Sequence, residues 1–284
     1  MAKTPEIQCF RGFSMPKALI PLHRYGSFFR ADTIRVADVT VRFLLFFCCF
    51  AMLRPQAEPA GKEKTMKENR KRDLLVGIGL LCAFVLWTLL IRRIDVQAAG
   101  PNGSRIGFAS FNTRVHALTG VHMALYTLTD WLGLVPIAIC LCFGALGFVQ
   151  LVKRRRLRLM DPDLLLLGVY YFLVFAVYLF FERVPVNYRP ILIEGRLEPS
   201  YPSSTTLLVL SVMPTLHFQI CRRSAKLSLQ KAAGLFGAVF SAFTVIGRFL
   251  AGVHWATDII ASILFSAGLF LIYRATVQFA EKRG

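Results

Sequence analysis

The chain is short of acidic residues, of cysteines placed to pair, and of any long polar stretch after its first quarter. Of its 284 residues only 16 are Asp or Glu, against 34 Lys or Arg, so the formal net charge is +18. Cys48, Cys49, Cys82, Cys140, Cys142 and Cys221 fall in apolar runs or at their ends, and Cys9 lies in the N-terminal segment. None sits in a predicted outer loop, so no disulfide framework is expected. Cys140 and Cys142 have no His or Cys pair to complete a zinc site. There is no glycine-rich nucleotide loop and no internal repeat, so neither a metal nor a cofactor is expected. No helix-turn-helix or zinc-finger pattern accompanies the basic charge, and no nucleic-acid partner is expected.

Apolar length is what the chain has in abundance. It is 55% apolar, and its mean hydropathy of +0.54 is high for a soluble domain. Apolar runs occupy Leu74–Ile91, Trp131–Val152, Leu164–Phe181, Thr205–Ile220, Ala232–Phe249 and Trp255–Tyr273. Each has about the length that crosses a bilayer as a helix. The expected fold is an all-α integral membrane protein, a bundle of six transmembrane helices. The stretch Ile106–Thr129 mixes apolar and polar residues and suggests an amphipathic helix lying on the outer surface.

Basic residues set the expected orientation. With the segment before Leu74 inside, the inner loops carry sixteen Lys or Arg, among them Lys153, Arg154, Arg155, Arg156 and Arg158. The other side carries eight: Arg92, Arg93, Arg105, Arg114, Arg183, Arg189, Arg196 and Arg248. The positive-inside rule then puts both termini in the cytoplasm. The net charge reads as this topology signal together with attraction to anionic lipid. The expected location is the plasma membrane of a bacterium.

Residues 1–65 stand apart. They hold ten Lys or Arg and five Asp or Glu, and their one apolar run, Phe43–Leu53, is too short to span comfortably. They lack the layout of a signal peptide. Met66 followed by Lys-Glu-Asn-Arg-Lys-Arg-Asp reads like a start for a membrane protein. The expected organisation is therefore an extension over 1–65, poorly ordered or not native, and a six-helix membrane domain over 66–284.

In this apolar setting a few ionisable and polar residues carry the chemical signal. Arg248, His254 and Asp258 fall within eleven residues, with Asp258 four positions after His254. On a helix that carboxylate lies one turn away on the same face, where it can accept one imidazole proton and leave the other nitrogen as nucleophile or base. Arg248 offers a planar, permanently charged fork suited to phosphate oxygens. The loop from Glu182 to Ser204 lies on the same predicted outer side, broken by Pro190, Pro199 and Pro202. Irregular backbone near a membrane survives only inside protein or beside a wet cavity. Ser203, Ser204, Thr205 and Thr206 open the next span as a helix start, whose free N–H groups can receive an anion. The expected active site is at the extracytoplasmic face.

Tyr188-Arg189-Pro190, then Tyr201-Pro202-Ser203-Ser204, then Gly247-Arg248 followed by His254 and Asp258 resemble the three signature blocks of the phosphatidic acid phosphatase type 2 superfamily. The motifs occupy Glu182 to Asp258, and the resemblance in helix count runs from about Leu74 to the end. It implies that Arg189 and Arg248 clamp a phosphate, and that Ser203 donates to it with the Ser204 amide alongside. It also implies that His254 attacks phosphorus to form a phosphohistidine and that Asp258 orients His254.

The sequence departs from the family pattern in three places. The lysine expected seven positions before Arg189 is Glu182, with Arg183 next door as a substitute that would have to turn inward. The histidine that ends the second block, the leaving-group acid, is Thr205, whose hydroxyl is too weak an acid for that task. The serine before Arg248 is Gly247. Glu194, Glu198 and Tyr201 are the loop residues that could supply the acid instead. A diphosphate leaving group needs less protonation than an alkoxide, which favours diphosphate lipids. His116 and His122 are weaker candidates for the cavity mouth, and His217 falls too far along its span to serve there. The expected function is a membrane phosphohydrolase acting on a lipid phosphate or isoprenoid diphosphate, with that lipid as its partner. The alternatives are a lipid phosphotransferase, or a catalytically weak relative that binds or moves lipids.

Overall fold

A computed structural model describes residues 63–281. Its eight α-helices are α1 (Glu63–Ile91), α2 (Ala109–Thr119), α3 (Met123–Leu132), α4 (Leu134–Arg154), α5 (Pro162–Arg183), α6 (Ser204–Arg223), α7 (Leu227–Leu250) and α8 (Ala256–Glu281). Short 3-10 turns at Pro101–Gly103 and Leu157–Leu159 complete the regular structure, and no strand forms among the described residues. The expectation for residues 1–65 lies outside the described residues, except that 63–65 open α1.

Among the described residues, six helical segments are long and apolar enough to cross a membrane, α3 and α4 together making one of them. Large apolar side chains point away from the bundle on most of them: Leu75, Leu141, Phe148, Phe172 and Leu235 are each more than three-fifths exposed. In water that surface would be prohibitive, and in lipid it is the natural outer face. The protein is an integral membrane protein.

α6 and α8 form the centre, with 67% and 72% of their apolar windows buried, against 6% for Met123–Arg154 at the rim. Small hydroxyl residues let their backbones approach and tie them together. Ser262 Oγ donates to the Ser203 carbonyl, Ser266 Oγ to the Leu207 carbonyl, and Ser211 Oγ to Ser266 Oγ. α1 packs along α8, and α7 against α6. The aromatic core of Phe84, Phe181, Tyr201 and Phe265 locks α1, α5 and α8 around the start of α6.

The basic residues gather at one end of the bundle. There Arg274 pairs with Asp73 at 2.6 Å, Arg223 with Asp163 at 2.8 Å, and Arg154 with Asp161 at 2.8 Å. The Glu182–Ser204 loop and the α7–α8 turn lie at the opposite end.

One expected element is different. Ile106–Thr129 is not a single amphipathic helix but α2 and α3, separated at Gly120. Gly120 has φ +68° and donates its N–H to the His116 carbonyl, which closes α2. The chain then passes close beneath the α7–α8 turn. His122 N–H donates to the Ala251 carbonyl, and His116 Nε2 lies 3.0 Å from the Gly252 carbonyl. Gly252 has φ +67°, and a Cβ there would fall 1.9 Å from the Gly120 oxygen. Only glycine fits this turn, which presents His254 two residues later.

Candidate active site

The site begins with the turn just described. His254 precedes α8 rather than lying on it, so the helical spacing to Asp258 does not bring the two side chains into register. His254 Nδ1 lies 3.0 Å from the Ser200 carbonyl. A carbonyl only accepts, so Nδ1 carries the proton and Nε2 presents a lone pair. That lone pair faces Arg248 Nη2 at 3.1 Å. Burial, then the charges of Arg189 and Arg248, hold the imidazole pKa well below its ordinary value, against a smaller opposing pull from the Ser200 carbonyl. Burial thus favours the neutral imidazole, whose unprotonated Nε2 is the atom free to bond.

Asp258 has a different task from the one expected. Oδ2 accepts the Trp255 N–H at 3.1 Å, and Oδ1 accepts Asn187 Nδ2 at 2.9 Å. The first of these bonds caps the start of α8. The second ties the loop to that helix, and Asn187 Oδ1 also accepts the Gly107 N–H just before α2. Asp258 fastens the loop, and the Ser200 carbonyl sets the tautomer of His254.

The two arginines arrive from separate elements, Arg189 from the loop and Arg248 from the last turn of α7. Both are buried, and their guanidinium carbons lie 6.0 and 5.0 Å from the ring centre of Tyr126. Arg189 N–H donates to the Glu198 carbonyl, and its Nε lies 2.9 Å from the Glu198 carboxylate. The Nε–H does not point along that contact, so Nε and Nη1 of Arg189 both lack hydrogen-bond acceptors. Arg248 Nη1 stands 3.6 Å from Asp130 Oδ1, too far for a hydrogen bond, and its Nε is also without an acceptor. Four buried guanidinium nitrogens make no hydrogen bond beside the imidazole, two of them facing carboxylates, a donor set whose chemistry suits a multivalent oxyanion.

Two cavities meet here. A polar one of about 250 Å³ is bounded by Glu182, Arg189, Glu198, Ser200, Ser204 and His254, among others. An apolar one of about 610 Å³ runs between α4, α5 and α6, past Leu134, Ile137, Tyr171 and Leu208. Tyr178 and Ser204 border both.

The remaining sequence candidates separate cleanly. Ser204 lines the polar cavity, while Ser203 is fully buried and donates its hydroxyl to Thr206. Thr205 borders only the apolar cavity. Arg183 is exposed and does not turn inward, and Glu182 takes the inward position instead. Glu194 sits exposed in a tight turn with φ +50° and reaches neither cavity. Glu198 lines the polar cavity on the Arg189 side. Tyr201 also borders that cavity, but its hydroxyl pairs with Thr88 Oγ1 at 2.6 Å, and burial raises its pKa. His116 and His122 bond to backbone carbonyls, and His217 contacts Cys221 Sγ. Gly247 has a local reason, since a Cβ there would fall 2.7 Å from the Thr129 methyl.

Sequence reasoning missed Asn187, Tyr126, Asp130 and the Ser200 carbonyl. Asp130 had a readable signal, as an acidic residue at the head of an apolar span. The Ser200 carbonyl had none, because a backbone acceptor leaves no mark in residue type.

No curated protein matches the chain. Among solved structures it is similar to a transmembrane PAP2 type phosphatidylglycerolphosphate phosphatase from Bacillus subtilis. The identity is 20% and the TM-score 0.47, over 73% of this chain and 97% of that one. Residues 169–282 match the PAP2 superfamily model, and this segment carries Arg189, Ser204, Arg248, His254 and Asp258.

Proposed function

We propose that the protein is a membrane lipid phosphohydrolase that works through a phosphohistidine on His254. The observation that carries this reading is the junction of the two cavities. A small polar pocket, lined by Arg189 with guanidinium nitrogens that make no hydrogen bond, lies beside a larger apolar one, and Ser204 and Tyr178 border both. An amphiphile with a phosphoryl head and an apolar tail fits that pairing. The positive-inside distribution supports an outward-facing site, with both termini in the cytoplasm.

Arg189 and Arg248 bind the phosphoryl oxygens and stabilise charge as it spreads in the transition state. The Ser204 N–H, in the first turn of α6, adds a helix-terminal donor. His254 Nε2 attacks phosphorus, the bond to the lipid oxygen breaks, and that oxygen leaves with the electron pair. The His254 Nδ1–H keeps donating to the Ser200 carbonyl, which stabilises the charged imidazole that forms. Water then hydrolyses the phosphohistidine and releases inorganic phosphate. Thr205 offers no acid, so a diphosphate, whose leaving group is itself a stable phosphate, is the favoured substrate class.

The test is phosphate release by purified protein in detergent, from an isoprenoid diphosphate and from phosphatidate, beside His254→Ala. Release in wild type that disappears in His254→Ala supports the reading. Equal release by both proteins, or none by either, overturns it.

A further inference from the structure

Hydrolysis of a phosphohistidine needs a base for the attacking water, and position 205 supplies a methyl and a hydroxyl where the family pattern has an imidazole. We infer that the Asp130 carboxylate performs this proton transfer from the leaving-group side of the phosphate. The inference rests on the phosphohydrolase reading and adds a residue to it from outside the matched segment.

Three observations place Asp130 there. First, it borders the apolar cavity together with Ser204 and Thr205, the cavity that the proposed function gives to the lipid tail. The end of α3 abuts the start of α6 at this point: Gly133 N–H donates to the Asp130 carbonyl, and a Cβ on Gly133 would fall 3.6 Å from the Thr205 methyl. Second, Asp130 and His254 flank one guanidinium. Arg248 Nη2 is 3.1 Å from His254 Nε2, and Arg248 Nη1 is 3.6 Å from Asp130 Oδ1. A phosphoryl group held by Arg248 is therefore within reach of both the nucleophile and the carboxylate. In-line displacement sets the base for water opposite the nucleophile, and the assignment of Asp130 requires that arrangement.

Third, the competing carboxylates lie elsewhere. Asp258 is bound by Asn187 and the Trp255 N–H, Glu198 lies against Arg189, Glu194 reaches neither cavity, and Glu182 borders only the polar cavity that holds the nucleophile. Asp130 is also 61% exposed at its side chain, so it can exchange its proton with water.

The step balances as follows. Water oxygen bonds to phosphorus from the side the lipid vacated, and Asp130 takes one water proton. The P–Nε2 bond breaks, its electron pair returns to His254, and phosphate leaves. Asp130 then gives the proton to solvent.

The experiment uses an isoprenoid diphosphate with radiolabelled terminal phosphate and an alkaline quench, which preserves phosphohistidine. Asp130→Asn is expected to lower kcat by about 10²–10⁴-fold. Label bound to the protein at steady state should rise at the same time, because formation of the intermediate continues while its hydrolysis stalls. Asp130→Glu should recover part of kcat, and His254→Ala should carry no label.

An unchanged kcat in Asp130→Asn overturns the assignment. So does a lower kcat with no extra label, which would mark Asp130 as a partner that only positions Arg248. The melting temperature of Asp130→Asn should match wild type, since the side chain is exposed. If wild type releases no phosphate, the phosphohydrolase reading fails and takes this role with it. If wild type is active and Asp130→Asn is equally so, only the role of Asp130 falls.

Discussion

Replacing Asp258 with asparagine separates two accounts of the carboxylate. If Asp258 oriented His254, the substitution would leave the imidazole in the wrong tautomer. In a serine-protease triad the same change costs about 10⁴-fold in kcat. Here Nδ1 is held by the Ser200 carbonyl, and Asp258 accepts instead from Trp255 N–H at 3.1 Å and Asn187 Nδ2 at 2.9 Å. Asparagine keeps one acceptor and turns an NH₂ toward the other donor. One hydrogen bond to a charged group is lost, a cost of about 1.5–3 kcal/mol. For a chain of this size that lowers the melting temperature by on the order of 5 °C. The expected result is a clear loss of thermal stability in detergent, with kcat within about tenfold of wild type, equivalent to about 1.4 kcal/mol of barrier. A fall in kcat of about 10³-fold or more at an unchanged melting temperature would refute the reasoning.

Two further outcomes follow from the same end of the bundle. Gly252→Ala would force a Cβ to within 1.9 Å of the Gly120 oxygen at φ +67°, so it should cost roughly 3 kcal/mol or more and remove activity with it. A wild-type melting curve for that variant would contradict the account of the turn. The pH dependence of stability tests the burial of His254. Its folded pKa lies below the unfolded value of about 6.5, so the unfolded chain binds a proton that the folded one does not. This contribution is complete above about pH 6.5 and is lost as pH falls below it, by up to about 1.4 kcal/mol per pH unit. Compared with His254→Gln, wild type should lose stability along that slope between about pH 6.5 and 5, and parallel profiles would count against a buried neutral imidazole.

The membrane helices were legible because lipid imposes a length and a composition on every span, and Leu74–Ile91 or Ala232–Phe249 satisfies both. The rim helix was less so. Gly120 and the mixed polarity around it decide whether one helix or two form, and that is settled by contact with the α7–α8 turn rather than locally. Arg189, Arg248 and His254 could be named from the sequence because charged groups in an apolar setting need a reason to be there. Their connections could not. His254 and Asp258 have helical spacing, yet α8 begins at Ala256, and a boundary shifted by two residues sends the imidazole to a backbone carbonyl. Asp130 was passed over because its significance depends on the distance to Arg248, 118 residues further along the chain.

The contact between Glu198 and Arg189 means that the site carries an anion of its own. On the proposed function, an incoming phosphate does not meet a bare pair of cations but exchanges with a carboxylate already in place, so its affinity is a difference between two attractions. Such an exchange changes the local charge less than simple capture would, which softens its dependence on ionic strength. It also spares the folded protein the repulsion of two uncompensated guanidiniums at one tyrosine ring. A carboxylate that must be pushed aside ranks ligands by charge density, and a weakly charged headgroup gains little by displacing it.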